Sequence, residues 1–182
     1  INTHKGMIFS QAVILGSVGR VVGRGKRLCC FSLQEEIKQV CRGLIARDFK
    51  VDAQTAGERF YQETRHGGIR QEAQNGYPTL FDVALQNFQS YHRLYGEDIA
   101  LKKTLLLLIS HLNDTTIWSR GGVEGLYFAK EKAQHALLVP NDTLEQTLHA
   151  LDEAFIARHL SPGGSADMLA MTWLVSQLCE VS

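Results

Sequence analysis

Residues 160–167 carry the densest set of groups that could bind an anion. They read Leu-Ser-Pro-Gly-Gly-Ser-Ala-Asp and lie between two segments with helical apolar spacing, which predicts a break followed by a helix start. Ser161 caps that helix if the proline takes the first helical position, or Ser165 caps it after a Pro-Gly-Gly loop. In either case the two glycines allow close approach, and the free N–H groups of the first turn offer an anion site.

Two carboxylates lie where hard oxygen ligands are needed for a metal ion. Asp167 falls in the first turn of that predicted helix, and Asp114, with Thr115 and Thr116, follows the most apolar helix of the chain. A carboxylate at a buried helix end is costly unless it is satisfied, and Mg²⁺ with phosphate would satisfy it. For Asp114 the competing account is an N-cap of the next helical turn. We favour a functional role, because a helix C-terminus disfavours an anion.

Three more polar breaks combine charged and amide groups. Residues 2–6 read Asn-Thr-His-Lys-Gly before an apolar helix, so phosphate capture by the lysine competes with a plain capped terminus. Glu58 follows Thr55 by three residues, a spacing that a capping box also explains. Arg70 and Glu72 follow a double glycine. This pair is interpreted either as a surface ion pair or as part of a binding site, and the sequence favours neither.

Several other kinds of chemistry are excluded by composition and motif. The chain has no nucleophile elbow, phosphate loop, dinucleotide fingerprint or Cys-His zinc spacing. Lys+Arg and Asp+Glu both total 19, so the chain has no net charge that would attract nucleic acid or an anionic membrane. The four cysteines predict reduced thiols in a cytoplasmic protein, and the apolar runs are too short to span a bilayer. Six histidines without ligand spacing receive no role: His66, His92, His111, His135, His149 and His159.

The elements that must position these groups are helices. With 182 residues, 45% hydrophobic residues and almost no strict alternation, the chain predicts a single all-α domain over 1–182, of about eight helices and without a sheet. Ser32 and Glu35 predict a capping box for one of them. Residues 113–122 predict a polar loop or a bent helix. The predicted helices cover 7–22, 32–49, 55–65, 79–95, 97–112, 123–138, 143–160 and the segment that ends near Leu178.

Taken together, these breaks resemble the motifs of the triphosphoribosyl-dephospho-coenzyme A synthase family. Seven short motifs occur in the family's order and cover nearly the whole chain: Asn2-Thr3-His4-Lys5-Gly6, Thr55-x-Gly57-Glu58-Arg59, Gly68-Ile69-Arg70-x-Glu72-Ala73, Gly76-Tyr77-Pro78, Asp114-Thr115, Arg120-Gly121-Gly122 and residues 160–167. The resemblance implies an all-α enzyme that joins ATP to 3'-dephospho-CoA and releases adenine. The product is the precursor of the prosthetic group on the acyl carrier subunit of citrate lyase or malonate decarboxylase. Two departures are Thr116, where the family carries Asn, and the absence of the family's N-terminal portion.

That reaction implies roles for the residues in the motifs. Displacing adenine passes through an oxocarbenium-like transition state. A base must take the proton of the 2'-hydroxyl, which Glu72 or Glu58 could do, and His4 could act as an acid or bind phosphate. The expected Mg²⁺ ligands are Asp114, Asp167 and Glu72. The expected triphosphate-binding residues are Asn2, Thr3, Lys5, Arg70, Arg120, Ser161, Gly163, Gly164 and Ser165.

Two other functions use the same residues. One is a metal-dependent hydrolase of nucleotides or ADP-ribosyl groups on an all-α scaffold, and the other is a non-catalytic helical remnant that binds a nucleotide or a partner. Because the chain starts inside a motif at Ile1, we also expect an exposed apolar groove or a homodimer that covers it. The expected partners are ATP, 3'-dephospho-CoA and the transferase that loads the acyl carrier subunit.

Overall fold

A computed structural model describes residues 5–48 and 56–179 of the chain. This part is helical and contains no strand, which confirms the all-α prediction. The helices are α1 (Lys5–Gly23), α2 (Cys30–Val40), α3 (Leu44–Asp48), α4 (Ala56–Thr64), α5 (Gly68–Gln74), α6 (Leu85–Tyr95), α7 (Glu97–His111), α8 (Thr115–Leu137), α9 (Leu144–Ala157) and α10 (Gly163–Leu178). A π-helical turn, Thr79–Ala84, leads directly into α6.

The predicted helix over 32–49 is divided and starts earlier. Its first part, α2, begins at Cys30, and the Ser32 side chain accepts a hydrogen bond from the Cys29 N–H at 3.0 Å. Glu35 pairs instead with Lys38 at 2.7 Å, so the predicted Ser32–Glu35 capping box is wrong. The helix then stops at a turn in which Gly43 has a φ of +73°, a left-handed conformation that ends helices.

Helix α7 lies between two hydrophobic clusters. Leu108 belongs to a cluster with residues of α1, α2, α5, α6 and α10, whereas Leu106 and Ile109 belong to a cluster with residues of α8 and α9. Because both sides of α7 are buried, its apolar residues do not form a single stripe. This burial explains the apolar run that α7 shows in the sequence. It also holds the end of α7 inside the bundle.

Helix α1 carries apolar side chains on both its buried and its exposed faces. Ile14 and Val21 are buried, while Ile8, Leu15 and Val22 are 59%, 51% and 57% exposed. Within the described residues, Gly6–Gly23 is the one helix long and apolar enough to cross a membrane by length and composition, a test that core helices also pass. It packs against α2 and α10 in this fold. The expected apolar groove or covering homodimer stays a prediction.

The connection from α9 to α10 is fixed at both ends of a short loop. His159 has a φ of +54°, and its N–H and that of Leu160 donate to the carbonyls of Ile156 and Phe155 at 2.9 Å each, the Schellman pattern of a helix end. The Leu160 side chain, 7% exposed, then packs against the backbone of Gly121 in α8, where a Cβ would overlap it. The loop that precedes α10 is thereby held against α8.

Candidate functional site

Asp114 joins the start of α8 to the start of α10. Its Oδ1 accepts hydrogen bonds from the N–H groups of Thr116 and Ile117 at 2.8 and 3.3 Å, so it is the N-cap of α8. Its Oδ2 accepts from the N–H and the hydroxyl of Ser165 at 2.8 and 2.9 Å. The side chain is 3% exposed. One buried carboxylate therefore satisfies donors of two helix N-termini, and the N-cap account considered for Asp114 in the sequence describes its geometry.

The two glycines of the 160–167 segment are needed for this contact. A Cβ on Gly164 would lie 2.9 Å from Oδ1 of Asp114, and one on Gly163 would lie 3.2 Å from Oγ1 of Thr116. Helix α10 begins at Gly163 with Pro162 as its N-cap, which makes no side-chain capping bond. Neither Ser161 nor Ser165 therefore caps the helix in the way the sequence predicts, since the capping carboxylate comes from residue 114.

Helix α8 bends about two turns after this junction. Gly122 has a φ of +62° and a ψ of −158°, a non-helical conformation inside the helix. Of the two structures predicted for residues 113–122, the bent helix is the one observed from Thr115 onward. Arg120 precedes the bend, is exposed, and shares a helix face with Thr116 four residues before it. It thus lies on the side of α8 that adjoins Gly163.

A cleft of about 160 Å³ opens at this junction. One wall is α5 and the turn that follows it, including Gly68, Glu72 and Thr79, and the other is the connection from His111 to Thr115. The first turn of α10 closes it, with Gly164 and Met168 at its lining. The cleft is thus formed by three of the polar breaks that the sequence singles out, at residues 70–72, 114–116 and 160–167, which lie far apart along the chain.

Several helix N-termini meet around the cleft. Besides those of α8 and α10, the start of α5 approaches α8, since a Cβ on Gly68 would lie 2.9 Å from Cγ2 of Thr115. The start of α1 approaches α10, since a Cβ on Gly6 would lie 3.1 Å from Oδ2 of Asp167. Helix N-termini carry partial positive charge, so this end of the bundle favours anions.

Glu72 is the carboxylate on the α5 wall of the cleft. Its Oε1 accepts the Thr79 hydroxyl at 2.8 Å, and its Oε2 accepts the Thr79 N–H at 3.2 Å. Burial raises the pKa of Glu72, the two Thr79 hydrogen bonds oppose that shift, and nearby Asp82 adds to it. Burial therefore favours the protonated form of this carboxyl group more than solvent does.

The turn between Glu72 and Thr79 is strained. Gly76 and Tyr77 both have left-handed backbones, with φ values of +80° and +51°, and the Tyr77 N–H donates to the Glu72 carbonyl at 2.6 Å. Tyr77 is a bulky residue in a conformation that such residues rarely adopt, and its side chain is fully buried. The buried ring compensates the strain and fixes the turn that brings Thr79 to Glu72.

The remaining predicted site residues lie around the cleft or outside the described part. Arg70 binds Asp48, with Nε 2.6 Å from Oδ2, and its guanidinium lies over the Phe9 ring. Asp167 lies against the first turn of α1. Glu58 is half-buried on α4, which packs against α8 and α5. Asn2, Thr3 and His4, together with the side chain of Lys5, are outside the described residues.

The described carboxylates do not fit a protein metal cage. Within residues 5–48 and 56–179 no group of three or more His, Cys, Asp or Glu side chains is placed to hold a metal ion. All four acceptor positions of the Asp114 carboxylate are used by backbone and hydroxyl donors. Asp114 is therefore a structural anchor in this arrangement, and the expected metal role of Asp114, Asp167 and Glu72 stays a prediction.

Two histidines and an asparagine of the cleft carry no expected role in the sequence. His66 and His111 both line it, beside Asn113. Lys130 from α8 binds the Asn113 side-chain oxygen at 2.8 Å and the His111 carbonyl at 3.3 Å, and burial lowers the pKa of this lysine. His66 directly precedes the double glycine, and His111 and Asn113 flank the end of α7. In the sequence, the signal that could have identified these three residues is their position beside the predicted breaks.

Comparison with known proteins gives one consistent result. A family model described as ATP:dephospho-CoA triphosphoribosyl transferase matches residues 1–182. The chain is 42% identical over 180 residues to a probable 2-(5''-triphosphoribosyl)-3'-dephosphocoenzyme-A synthase of Pectobacterium carotovorum subsp. carotovorum, covering 96% of this chain and 58% of the relative. The synthase of Pectobacterium atrosepticum is also 42% identical, with the same coverage. That of Klebsiella pneumoniae is 36% identical over 97% of this chain and 61% of its own length.

No solved structure matches the chain. The chain spans about three fifths of the length of these relatives, 58% to 61%. The family model, in contrast, matches it from the first residue to the last. The matched motifs include the Asp114 junction, the α5 wall and the first turn of α10, which together form the cleft. The chain therefore belongs to the ATP:dephospho-CoA triphosphoribosyl transferase family.

Proposed function

We propose that this chain catalyses transfer of the triphosphoribosyl group of ATP to the 2'-hydroxyl of 3'-dephospho-CoA, with release of adenine. The observation that carries the proposal is that three of the seven motifs, those at residues 68–73, 114–115 and 160–167, line one cleft at the end of the bundle where α8 and α10 begin. Relatives that share 42% of its residues are named as synthases of this product.

The triphosphate is expected to bind where helix N-termini gather. Gly164 in the first turn of α10 lines the cleft, and Gly163 lies against Thr116, which shares a helix face with Arg120. Negative phosphate oxygens gain from both the helix dipoles and the cation. Lys5 is the first residue of α1, whose start approaches Asp167, and we expect it to bind phosphate as well. Mg²⁺ enters this proposal as the counterion of ATP, with phosphate and water as most of its ligands.

The ribose and adenine are expected beside Glu72 and His111. Both residues line the cleft, and the volume of about 160 Å³ suits part of one substrate rather than both. Fixing the ribose carbon near the acceptor hydroxyl supplies much of the rate gain through proximity. Arg70 holds Asp48 and thereby fixes α5 relative to α3, so we assign it a supporting role in shaping this wall.

We also propose where the product is used and in which compartment the enzyme works. The product would be the precursor of the prosthetic group on the acyl carrier subunit of citrate lyase or malonate decarboxylase, delivered to the transferase that loads that subunit. Cys29, Cys30, Cys41 and Cys179 are free thiols, as expected for a cytoplasmic enzyme.

Mass spectrometry of the products tests the proposal. The chain is incubated with ATP, Mg²⁺ and 3'-dephospho-CoA, and the expected result is one equivalent of adenine for each triphosphoribosyl-dephospho-CoA formed. Omission of dephospho-CoA should abolish adenine release. Release of adenine with water as acceptor would instead favour the hydrolase, and binding of ATP without any product would favour the non-catalytic alternative.

A further inference from the structure

His111 occupies a position that fixes which of its ring nitrogens carries a proton. It is the last residue of α7 and lines the cleft. Its Nδ1 lies 2.9 Å from the Leu107 carbonyl oxygen and 2.9 Å from the Ser110 hydroxyl oxygen. The Ser110 hydroxyl in turn lies 2.7 Å from the same Leu107 carbonyl.

These contacts are satisfied together by one arrangement of protons. A carbonyl oxygen can only accept, so the Ser110 hydroxyl donates its single proton to Leu107. The oxygen of Ser110 is then left as an acceptor for His111, as is the Leu107 carbonyl. Nδ1 must therefore carry the proton in the neutral ring, and Nε2 carries the lone pair. Because Nδ1 is held on the helix side, Nε2 is the ring nitrogen that solvent and substrate can reach.

A second contact holds the backbone of His111. The Lys130 ammonium donates to the His111 carbonyl at 3.3 Å and to the Asn113 side chain at 2.8 Å, which ties the end of α7 to α8. The imidazole thus has a fixed tautomer, and the backbone that carries it is held in place beside the cleft. General-base catalysis requires both a lone pair and a defined position.

We propose that His111, through Nε2, is the general base that takes the proton of the 2'-hydroxyl of dephospho-CoA. This inference rests on the proposed function and replaces Glu72 and Glu58 as the expected base. Glu72 is less suited to the task because both of its carboxylate oxygens accept hydrogen bonds from Thr79.

In the proposed reaction, each bond that breaks is matched by one that forms. The 2'-hydroxyl O–H bond breaks and its proton goes to Nε2 of His111, while the oxygen forms a bond to the anomeric carbon of the ATP ribose. The bond from that carbon to N9 of adenine breaks, and its electron pair stays on adenine, which takes a proton from solvent. His111 then holds one proton more, and its release to solvent restores the neutral ring. No oxidant or further reactant is needed.

Replacement of His111 by glutamine is the test, with His149→Gln as the matched control. His149 lies on α9 and its side chain is 77% exposed. We expect His111→Gln to lower kcat by about 10²- to 10⁴-fold, the usual contribution of a general base. His149→Gln should match the wild type in kcat.

A second variant keeps the test independent of folding defects. Added imidazole should restore activity to His111→Ala, which a structural role would not allow. A wild type that forms no product refutes the proposed function itself. An active wild type with His111→Gln within twofold of its kcat refutes the assignment of His111 alone, as does a lack of rescue by imidazole in a folded His111→Ala protein.

Discussion

Substitution of Gly164 by alanine perturbs the contact on which the cleft depends. The new Cβ would lie 2.9 Å from Oδ1, 3.1 Å from Cγ and 3.2 Å from Oδ2 of Asp114. The carboxylate is 3% exposed and is held by four hydrogen bonds, so a displacement away from the new Cβ strains at least one of them. We therefore expect the bonds from Ser165, at 2.8 and 2.9 Å, to lengthen or break.

The size of the effect follows from two opposing contributions. Loss of one hydrogen bond to a charged group costs about 1.5–3 kcal/mol, and steric overlap in a packed interior costs about 1–3 kcal/mol when it cannot relax. Alanine returns about 0.5–1 kcal/mol through its lower chain entropy in a helix. We expect the free energy of unfolding to fall by about 2 kcal/mol, which corresponds to about 4–8 °C in Tm for a chain of this size.

Urea unfolding followed by circular dichroism measures this change. Gly19→Ala is the matched control, because a Cβ on Gly19 meets nothing within 4 Å and α1 is helical there. That variant should be more stable than the wild type by about 0.5–1 kcal/mol. If Gly164→Ala is as stable as the wild type, with an unchanged m-value, the close contact between α10 and Asp114 does not exist as described.

Three further predictions concern helix ends and the cleft. His159→Gly should raise the free energy of unfolding by about 1 kcal/mol in urea, because the φ of +54° strains a residue with a Cβ. Burial raises the pKa of Glu72, so the folded chain holds its proton more tightly than the unfolded chain. The stability contributed by this group is full below its unfolded pKa and is lost as pH rises through the folded pKa; Glu72→Gln should remove that loss from a plot of unfolding free energy against pH. Gly121→Ala and Leu160→Ala should each destabilise, the latter by about 2–4 kcal/mol, and a double-mutant cycle should show less than additive loss.

Each of these predictions has a control in the same chain. His149→Gly, in the interior of α9, should destabilise by about 0.5–1 kcal/mol where His159→Gly stabilises. Glu124→Gln, on the exposed part of α8, should keep the wild-type dependence of stability on pH. Strict additivity of Gly121→Ala and Leu160→Ala would count against their contact, since removal of the Leu160 side chain leaves room for the methyl group at position 121.

Helix positions could be predicted from the sequence wherever apolar spacing and breakers agree. The helix over 97–112 is α7 to within one residue, and the breaks at Gly67 and Gly76 are where the chain turns. The helix over 32–49 was too long, because its apolar stripe continues across Gly43 although the backbone there is left-handed. Helix starts were less predictable, since α2 begins at Cys30 and is stabilised by Ser32 from inside its first turn.

The candidate site was predicted as a set of segments rather than as a geometry. Asp114 and residues 160–167 were both singled out, and the structure joins them directly. A carboxylate that caps a helix 51 residues away leaves no local signal, so neither serine of that segment is the cap that local rules suggest. Arg70 was expected near Glu72, but helical residues two apart point to different sides, and Arg70 binds Asp48.

The bond between Asp114 and Ser165 also determines when the cleft can form during folding. It spans 51 residues, which include α8 and α9, and closure of so long a loop costs more entropy than formation of a local helix pair. Helices α8 and α9 share a hydrophobic cluster with α7 and can pack before α10 is in place. A contact made late affects unfolding rates more than folding rates, so Gly164→Ala should mainly accelerate unfolding. During synthesis, the cleft stays incomplete until the residues of α10 have left the ribosome.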